Sequence, residues 1–284
     1  MTHPNNQQPK SLDKDEFLSN PCRHRDQKPN SSEKKNKELG SRGHSFLVSF
    51  IQSHNKGNET NRTIVVTSET DFNLTVSLPE SQTSSLISVY SHRNGNITMK
   101  KLDVHYSLVP FYFTPEYKAI IIHTSVPTSV LSYHDYISSS GSTTVFPIDK
   151  LSTSYIISTA TPAHYTLDSG SHFTVASIKD NSLVTIKFTT DHDINILLQG
   201  RNYGRGDTFH IILNKYQTFQ IGIKADMSGT TITSSNPIAV FAGNRCTDVG
   251  YHGACSMLME MVPPADKLDT IFIVPPNIHR YQSR

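Results

Sequence analysis

The sequence predicts an all-β protein, and three observations support this fold class. Ser, Thr, Ile and Val are abundant and Trp is absent, a composition that favours half-buried strands over helices. Apolar runs of strand length follow one another along the chain, for example "TIVVTS", "LVTIKFT" and "IAVFAG". Turn dipeptides such as Asn94-Gly95 and Ser228-Gly229 separate the runs. This spacing is typical of β-sandwich and barrel proteins.

The first 40 residues are expected to form a disordered, polar tail. They are rich in Lys, Asp, Glu, Asn, Gln and Pro, and they have too few apolar side chains to compensate for the entropy lost on ordering. The tail holds eight of the 26 basic and six of the 24 acidic residues, which leaves 18 of each in the remainder. A neutral folded part argues against a nucleic-acid partner or an anionic membrane surface.

The sequence contains an internal repeat. The run "PIDKLST" recurs as "PADKLDT", and "SVPTSVL" recurs as "SNPIAVF" with Pro127 and Pro237 110 residues apart. We therefore expect two tandem, homologous, sandwich-like units, residues 41–151 and residues 152–284, the second of which includes a closing strand.

Two of the three cysteines, Cys246 and Cys255, lie in a loop that is seven residues longer in the second copy of the repeat than in the first. A disulfide between them would hold this loop and stabilise the fold by about 2–3 kcal/mol. Zinc is the alternative, but Cys246, Cys255 and His252 provide three ligands where a structural site needs four. No metal or cofactor is therefore predicted. Cys22 either pairs with another chain or is a free thiol.

The compartment is expected to be extracellular. Sequons for N-glycosylation occur at Asn58, Asn61, Asn73 and Asn96, and another lies in the tail at Asn30. No window approaches the roughly 20 apolar residues of a membrane span, so membrane insertion is not expected. The N-terminus also lacks the apolar region of a signal peptide, so we expect the sequence to be a fragment or to have an imperfect N-terminal boundary.

The run from Gly229 to Pro276 resembles the N-terminal domain of the IgGFc-binding protein family. That domain has a "GT-x-I-x-S-x-x-P-[IV]-AVF-[SA]-G" strand pair, a cysteine-bracketed loop, a Pro-Pro pair and a strand, and here the run reads "GTTITSSNPIAVFAGNRC…C…VPPADKLDTIFIV". The segments "GHSFLVSF" and "DTFHIILNKYQTFQI" are also similar, so the resemblance covers about Gly43 to Arg284. It implies a domain of large secreted, mucin-like or adhesive proteins. Immunoglobulin Fc is implied as a partner by the family name alone.

The tripeptide Arg205-Gly206-Asp207 lies in a Gly-rich loop between the predicted strands "INILL" and "TFHIIL". An exposed hairpin tip there could offer its guanidinium and carboxylate groups to an integrin and the cation bound to it. The alternative is a turn that only connects the two strands.

The sequence Asp191, Asp193 and Asn195 follows the spacing of a calcium loop. The sixth position is Ile196 rather than Gly and the twelfth is Asn202 rather than Glu, so an EF-hand is not predicted.

No catalytic motif is present. The sequence has no HExxH, GxSxG, GxxxxGK[ST] or GxGxxG pattern, and we expect the protein not to be an enzyme. A secreted hydrolase with an unrecognised Ser-His-Asp arrangement remains an alternative. The leading hypothesis is an extracellular binding or structural module that contacts protein or glycan in mucus, matrix or the cell surface.

Overall fold

The computed structural model describes residues 40–53, 60–136, 139–163, 170–189, 195–248 and 256–271. The predicted tail, apart from Gly40, lies outside these residues. The described residues belong to one compact unit that begins at Gly40. They contain seventeen strands, four short 3-10 turns and no α-helix, which confirms the all-β prediction. Two separate units of about 110 residues are not distinguished, and that part of the prediction is untested.

The strands are bounded as follows: β1 Gly43–Val48, β2 Asn61–Ser68, β3 Leu74–Ser77, β4 Ile87–Asn94, β5 Ile97–Val104, β6 Glu116–Tyr117, β7 Ile120–Tyr136, β8 Ser139–Val145, β9 Ser152–Ile156, β10 Ser171–Ser177, β11 Ser182–Lys187, β12 Ile196–Leu198, β13 Arg201–Tyr203, β14 Thr208–Leu213, β15 Gln217–Ile223, β16 Thr231–Thr247 and β17 Ser256–Met261. The 3-10 turns are Ser84–Leu86, Tyr106–Leu108, Ile148–Lys150 and Ala265–Lys267.

Two long strands, β7 and β16, organise the sheets. The first part of β7 pairs with β1 and β3, and its second part pairs with β2 and β8. In the same way, the first part of β16 pairs with β9 and β11 and its second part with β10 and β17. The change of partners occurs near Pro127 and Pro237, because proline has no N–H to offer to a ladder. Each long strand therefore joins two sets of partner strands, β7 within a seven-stranded sheet and β16 within an eight-stranded sheet.

The remaining strands extend these sheets at their sides. β5 pairs with β2, and β4 pairs with β5. β15 pairs with β10, β6 pairs with β15, and β14 pairs with β11. All of these pairs are antiparallel. Strands β12 and β13 form a separate hairpin.

The second part of β16 contributes side chains to two hydrophobic cores. Ala239 and Phe241 belong to the core that is formed mainly by β1, β2, β5 and β7. Val240 and Ala242 belong to the other core, with side chains of β10, β11, β14 and β15. Successive side chains of a strand point to opposite faces, so β16 forms a wall between the cores. Its neighbour β10 is buried along its whole length.

Gly243 is required where β17 pairs with β16. A Cβ atom at Gly243 would overlap the backbone carbonyl oxygen of Leu258. The glycine in the motif "AVFAG" is therefore explained by packing between two backbones.

We expect Gly243→Ala to lower the free energy of unfolding by about 1–3 kcal/mol, because the new methyl group forces β17 away from β16. Urea unfolding followed by circular dichroism measures this change. Gly40→Ala is the matched control, since a Cβ atom there meets nothing within 4 Å. Equal unfolding midpoints for the two variants would contradict the close approach of β17.

Candidate functional site

The exposed aromatic side chains are concentrated in one connection of the fold. Five Phe and Tyr residues are exposed in the described part of the chain, and four of them lie in the β5–β7 connection: Tyr106, Phe111, Phe113 and Tyr117. Phe111 is 64% exposed. Single exposed apolar residues are normal, but several on one loop mark an interaction surface. We call residues 105–119 the aromatic segment.

Buried hydrogen bonds hold the middle of the aromatic segment. The carbonyl oxygen of Pro110 accepts a hydrogen bond from the side-chain amide of Gln52 and another from that of Gln220, each 3.0 Å long. Gln220 is fully buried, and its Oε1 accepts hydrogen bonds from Thr174 Oγ1 and from the Gln52 N–H. The segment is therefore tied to the buried strands β10 and β15 rather than lying loosely on the surface.

The end of the segment is fixed as well. The Phe113 N–H donates to the Gln220 carbonyl oxygen at 2.7 Å, and strand β6 pairs with β15. Glu116 Oε2 accepts a hydrogen bond of 2.6 Å from the Phe111 N–H. The exposed rings thus stand on a backbone that is held on both sides.

Phe113 has an unusual backbone conformation, with φ of 65°. A bulky residue in this left-handed region is an outlier that costs about 1–3 kcal/mol. The hydrogen bond of its N–H to Gln220 keeps it there. Strain of this kind is concentrated at binding and catalytic sites, and here it coincides with an exposed ring.

A cleft of about 690 Å³ lies beside the segment, and we call it the aromatic cleft. It is lined by Gln52, Ser53, Arg62, Tyr106, Ser107, Val109, Phe111, Tyr112, Lys118 and Arg245. Three of these side chains are cationic, three are aromatic, and no acidic residue is among them within the described ranges. Burial lowers the pKa of Arg62 to about 10, so it stays charged at neutral pH. Lys118 lies 3.8 Å from the Glu116 carboxylate, so the aromatic rings, rather than unpaired charge, are what the cleft offers to a partner.

A second cleft, of about 670 Å³, shares Arg62 and Tyr106 with the first. We call it the β2 cleft. Its lining is Thr60, Asn61, Arg62, Thr63, Val65, Lys101, Asp103, Val104, His105, Tyr106, Tyr133, His134, Asp135 and Ser140. Asp103 accepts a hydrogen bond from Thr63 and lies 3.0 Å from the Lys101 ammonium. This cleft has cations and carboxylates in balance, unlike the aromatic cleft.

The β2 cleft brings His, Asp and Ser side chains together, the feature expected of an unrecognised hydrolase. The described hydrogen bonds do not join them in the Ser-His-Asp series of a hydrolase. Ser107 Oγ lies 2.9 Å from His105 Nδ1, but that nitrogen also accepts from the Ser107 N–H at the start of a 3-10 turn. The contact is accounted for as a cap of the turn.

Two fully buried histidines lie behind the clefts. His134 stands opposite Arg62 in the β2–β7 ladder, and burial followed by the Arg62 charge lowers its pKa well below the usual value. His172 Nδ1 lies 3.1 Å from the Tyr112 hydroxyl. Burial, with a smaller effect of Arg245, lowers the pKa of His172 to about 3. Both imidazoles are therefore neutral at neutral pH.

The tripeptide Arg205-Gly206-Asp207 forms the turn between β13 and β14. Gly206 has φ of 87°, and the Asp207 N–H donates to the Gly204 carbonyl oxygen. Arg205 is exposed. The Asp207 carboxylate accepts a hydrogen bond of 2.9 Å from the Gly204 N–H, so it already has a role in its own turn. Integrin binding by this tripeptide stays a prediction.

Of the predicted cysteine pair, Cys246 lies within the described residues and Cys255 does not. Cys246 is buried and disulfide-bonded. Cys22, His252 and Cys255 lie outside the described residues, so the pairing of Cys246 with Cys255 stays a prediction.

Three of the predicted glycosylation sites, Asn61, Asn73 and Asn96, are exposed, and Asn58 lies outside the described residues. Their occupancy stays a prediction. Asp191 and Asp193 of the rejected calcium loop also lie outside. Within the described ranges, no three His, Cys, Asp or Glu side chains are placed to hold a metal ion.

No motif in the sequence predicted the aromatic segment. Its sequence "YSLVPFYFTPEY" contains five aromatic residues in twelve positions together with Pro110 and Pro115. The prolines interrupt any strand pattern, so the density of aromatic residues in a predicted loop was the available indication.

The family described as "IgGFc binding protein" matches residues 141–284, just over half of the chain. The chain belongs to this family. The human "IgGFc-binding protein" is 26% identical over 157 residues, which are 55% of this chain and 3% of that protein. The chain thus spans a small part of its relative, and no solved structure matches it. The aromatic segment precedes the matched residues.

None of the described residues forms a helix with the length and apolar character needed to cross a bilayer.

We expect acid to destabilise the protein through His172. The unfolded chain takes up this proton near the ordinary pKa of 6.5, whereas the folded protein does so only near 3. The contribution of neutral His172 to the free energy of unfolding is therefore fully present above pH 6.5. It is lost as the pH falls toward 3, by up to about 1.4 kcal/mol per pH unit. His172→Asn should flatten this slope, as measured by urea unfolding between pH 7.5 and 4.

The exposed His210 provides the control for this measurement. His210→Asn should keep the slope of the unmodified protein. An unchanged slope in His172→Asn would show that another group controls the response to acid.

Proposed function

We propose that this chain is an extracellular, non-enzymatic binding module of a secreted mucin-like or adhesive protein, and that it contacts a protein partner through the aromatic segment. The observation that carries the proposal is the set of four exposed aromatic side chains on one fixed connection beside a cationic cleft. Proteins and glycoproteins of mucus, matrix or the cell surface are the partners that an extracellular module would meet. Immunoglobulin Fc is a candidate through the name of the human relative.

The physical argument is that aromatic side chains dominate binding energy at protein interfaces. A buried aromatic side chain removes about 150–250 Å² from water, and hot spots are enriched in Tyr and Arg. Phe111 has most of its surface available for this. Because the hydrogen bonds to Gln220 already fix the backbone, little further entropy is lost on binding.

The proposed compartment is supported by the disulfide of Cys246, since disulfides persist in oxidising environments. The exposure of Asn61, Asn73 and Asn96 is compatible with glycosylation.

We further propose that the domain consists of two homologous units, residues 41–151 and 152–284. The partners of β7, namely β1, β2, β3 and β8, follow the same order along the chain as the partners of β16, namely β9, β10, β11 and β17. A 3-10 turn follows β8, and another follows β17. These matching features support a duplication, after which β16 came to contribute side chains to both hydrophobic cores.

Phe111→Ala is expected to lower the recovery of a partner from native secretions by at least about tenfold, because hot-spot truncations cost about 2 kcal/mol or more. Immobilised protein is incubated with protein and carbohydrate fractions, and bound material is quantified. Tyr90→Ala is the control, since Tyr90 is 55% exposed but lies on β4. Equal recovery by Phe111→Ala would place the contact elsewhere, and no partner in either fraction would argue against a binding module.

The alternative, integrin binding by Arg205-Gly206-Asp207, is tested with two variants. Asp207→Asn keeps an acceptor for the Gly204 N–H but removes the charge that binds a cation, whereas Asp207→Ala removes both. Integrin binding predicts that both variants lose cell attachment. If the tripeptide serves only the turn, attachment is unchanged, and Asp207→Ala alone loses about 1 kcal/mol of stability.

A further inference from the structure

We propose that the N-linked glycan on Asn61 folds into the β2 cleft and packs its first sugar rings against Tyr106. The glycans on Asn73 and Asn96 are expected to extend into solvent. The inference rests on the proposed extracellular function, because only a secreted chain meets the glycosylation machinery.

The position of Asn61 distinguishes it from the other described sequons. Asn61 is the first residue of β2 and is exposed, yet it lines the β2 cleft. Thr63 and Val65 line the same cleft, because alternate residues of a strand share one face. Asn73 and Asn96 line neither this cleft nor the aromatic cleft. A sugar attached to Asn61 therefore begins at the cleft wall.

The chemistry of the cleft suits a neutral sugar. The Tyr106 ring is 43% exposed and can cover the apolar face of a sugar ring. Carboxylates of Asp103 and Asp135 can accept hydrogen bonds from hydroxyl groups, and Lys101 can donate to an acetamide oxygen. Since the cations and carboxylates balance, the cleft does not demand a charged occupant.

The size of the cleft also agrees with this occupant. Its volume of about 670 Å³ lies within the range of about 300–1,000 Å³ that accommodates a ligand of drug size. The two N-acetylglucosamine rings next to an asparagine linkage form a ligand of this size.

A glycan in the β2 cleft also shapes the binding surface. Tyr106 belongs to both clefts, so a glycan on one side of its ring forms a wall of the aromatic cleft. Phe111, Phe113 and Tyr117 remain available to a partner protein.

The test measures how fast each glycan is released from the native protein. The full chain is secreted from mammalian cells behind a supplied signal peptide, and peptide mapping by mass spectrometry gives the occupancy of each sequon. The native protein is then treated with peptide-N-glycosidase, and the release rate is followed at each site. We expect Asn61 to be released at least about tenfold more slowly than Asn73 and Asn96, equivalent to about 1.4 kcal/mol of protection.

Variants of Tyr106 assign the protection to its ring. Tyr106→Ala should raise the release rate at Asn61 to that of the other sites, while Tyr106→Phe should keep it slow. Tyr90→Ala, on β4, should change none of the rates. Release from denatured protein provides the common reference rate.

The outcomes separate this inference from the proposed function. Equal native release rates at the three sites, or slow release at Asn61 that Tyr106→Ala does not change, would overturn the inference. An unoccupied Asn61 beside occupied Asn73 and Asn96 would overturn it and leave the extracellular function standing. Bare asparagines at every site would remove the basis of both.

Discussion

The burial of β10 and of the second part of β16 on both faces is the constraint on which the rest of the structure depends. A strand buried on both sides must satisfy its polar side chains internally. Thr174 of β10 does so by donating to Gln220, and Ser171 does so with Asn244 and the Ala160 carbonyl oxygen. The Gln220 amide then has a donor left for Pro110. The hydrogen bonds that satisfy buried polar side chains of β10 and β15 thus also fix the aromatic segment on the surface.

The side chains of Phe111, Tyr112 and Phe113 alternate between solvent and the interior because the segment is attached in this way. Tyr112 turns inward, where its hydroxyl lies near His172 and the Arg245 guanidinium lies 5.9 Å from its ring. The ring lies on Gly222, where a Cβ atom would overlap it. The two phenylalanines on either side consequently face solvent. Their exposure is a product of an anchored neighbour, and their desolvation energy is available to a partner.

The sequence predicted the strands better than their connections. The run "IAVFAG" has the length of a separate strand, but it forms only the second part of the longer strand β16. The Ser-Asn-Pro run resembles a strand break locally, and only the sheet context shows that Pro237 lies where the strand changes partners. The exposure of Phe111 was equally out of reach, because it depends on Gln220, more than 100 positions away. The turn at Gly206 was accessible from sequence, since it is a local property.

The two neutral histidines connect stability to the proposed binding surface. His172 Nδ1 lies 3.1 Å from the Tyr112 hydroxyl. Burial, with a smaller effect of Arg245, disfavours the protonated form of His172. His134 stands in the same relation to Arg62, which lines both clefts. Protonation of either ring places a charge in a buried region beside a guanidinium group. Acid therefore weakens the fold at the two histidines that lie next to Arg62 and Tyr112, the residues that join the interior to the clefts.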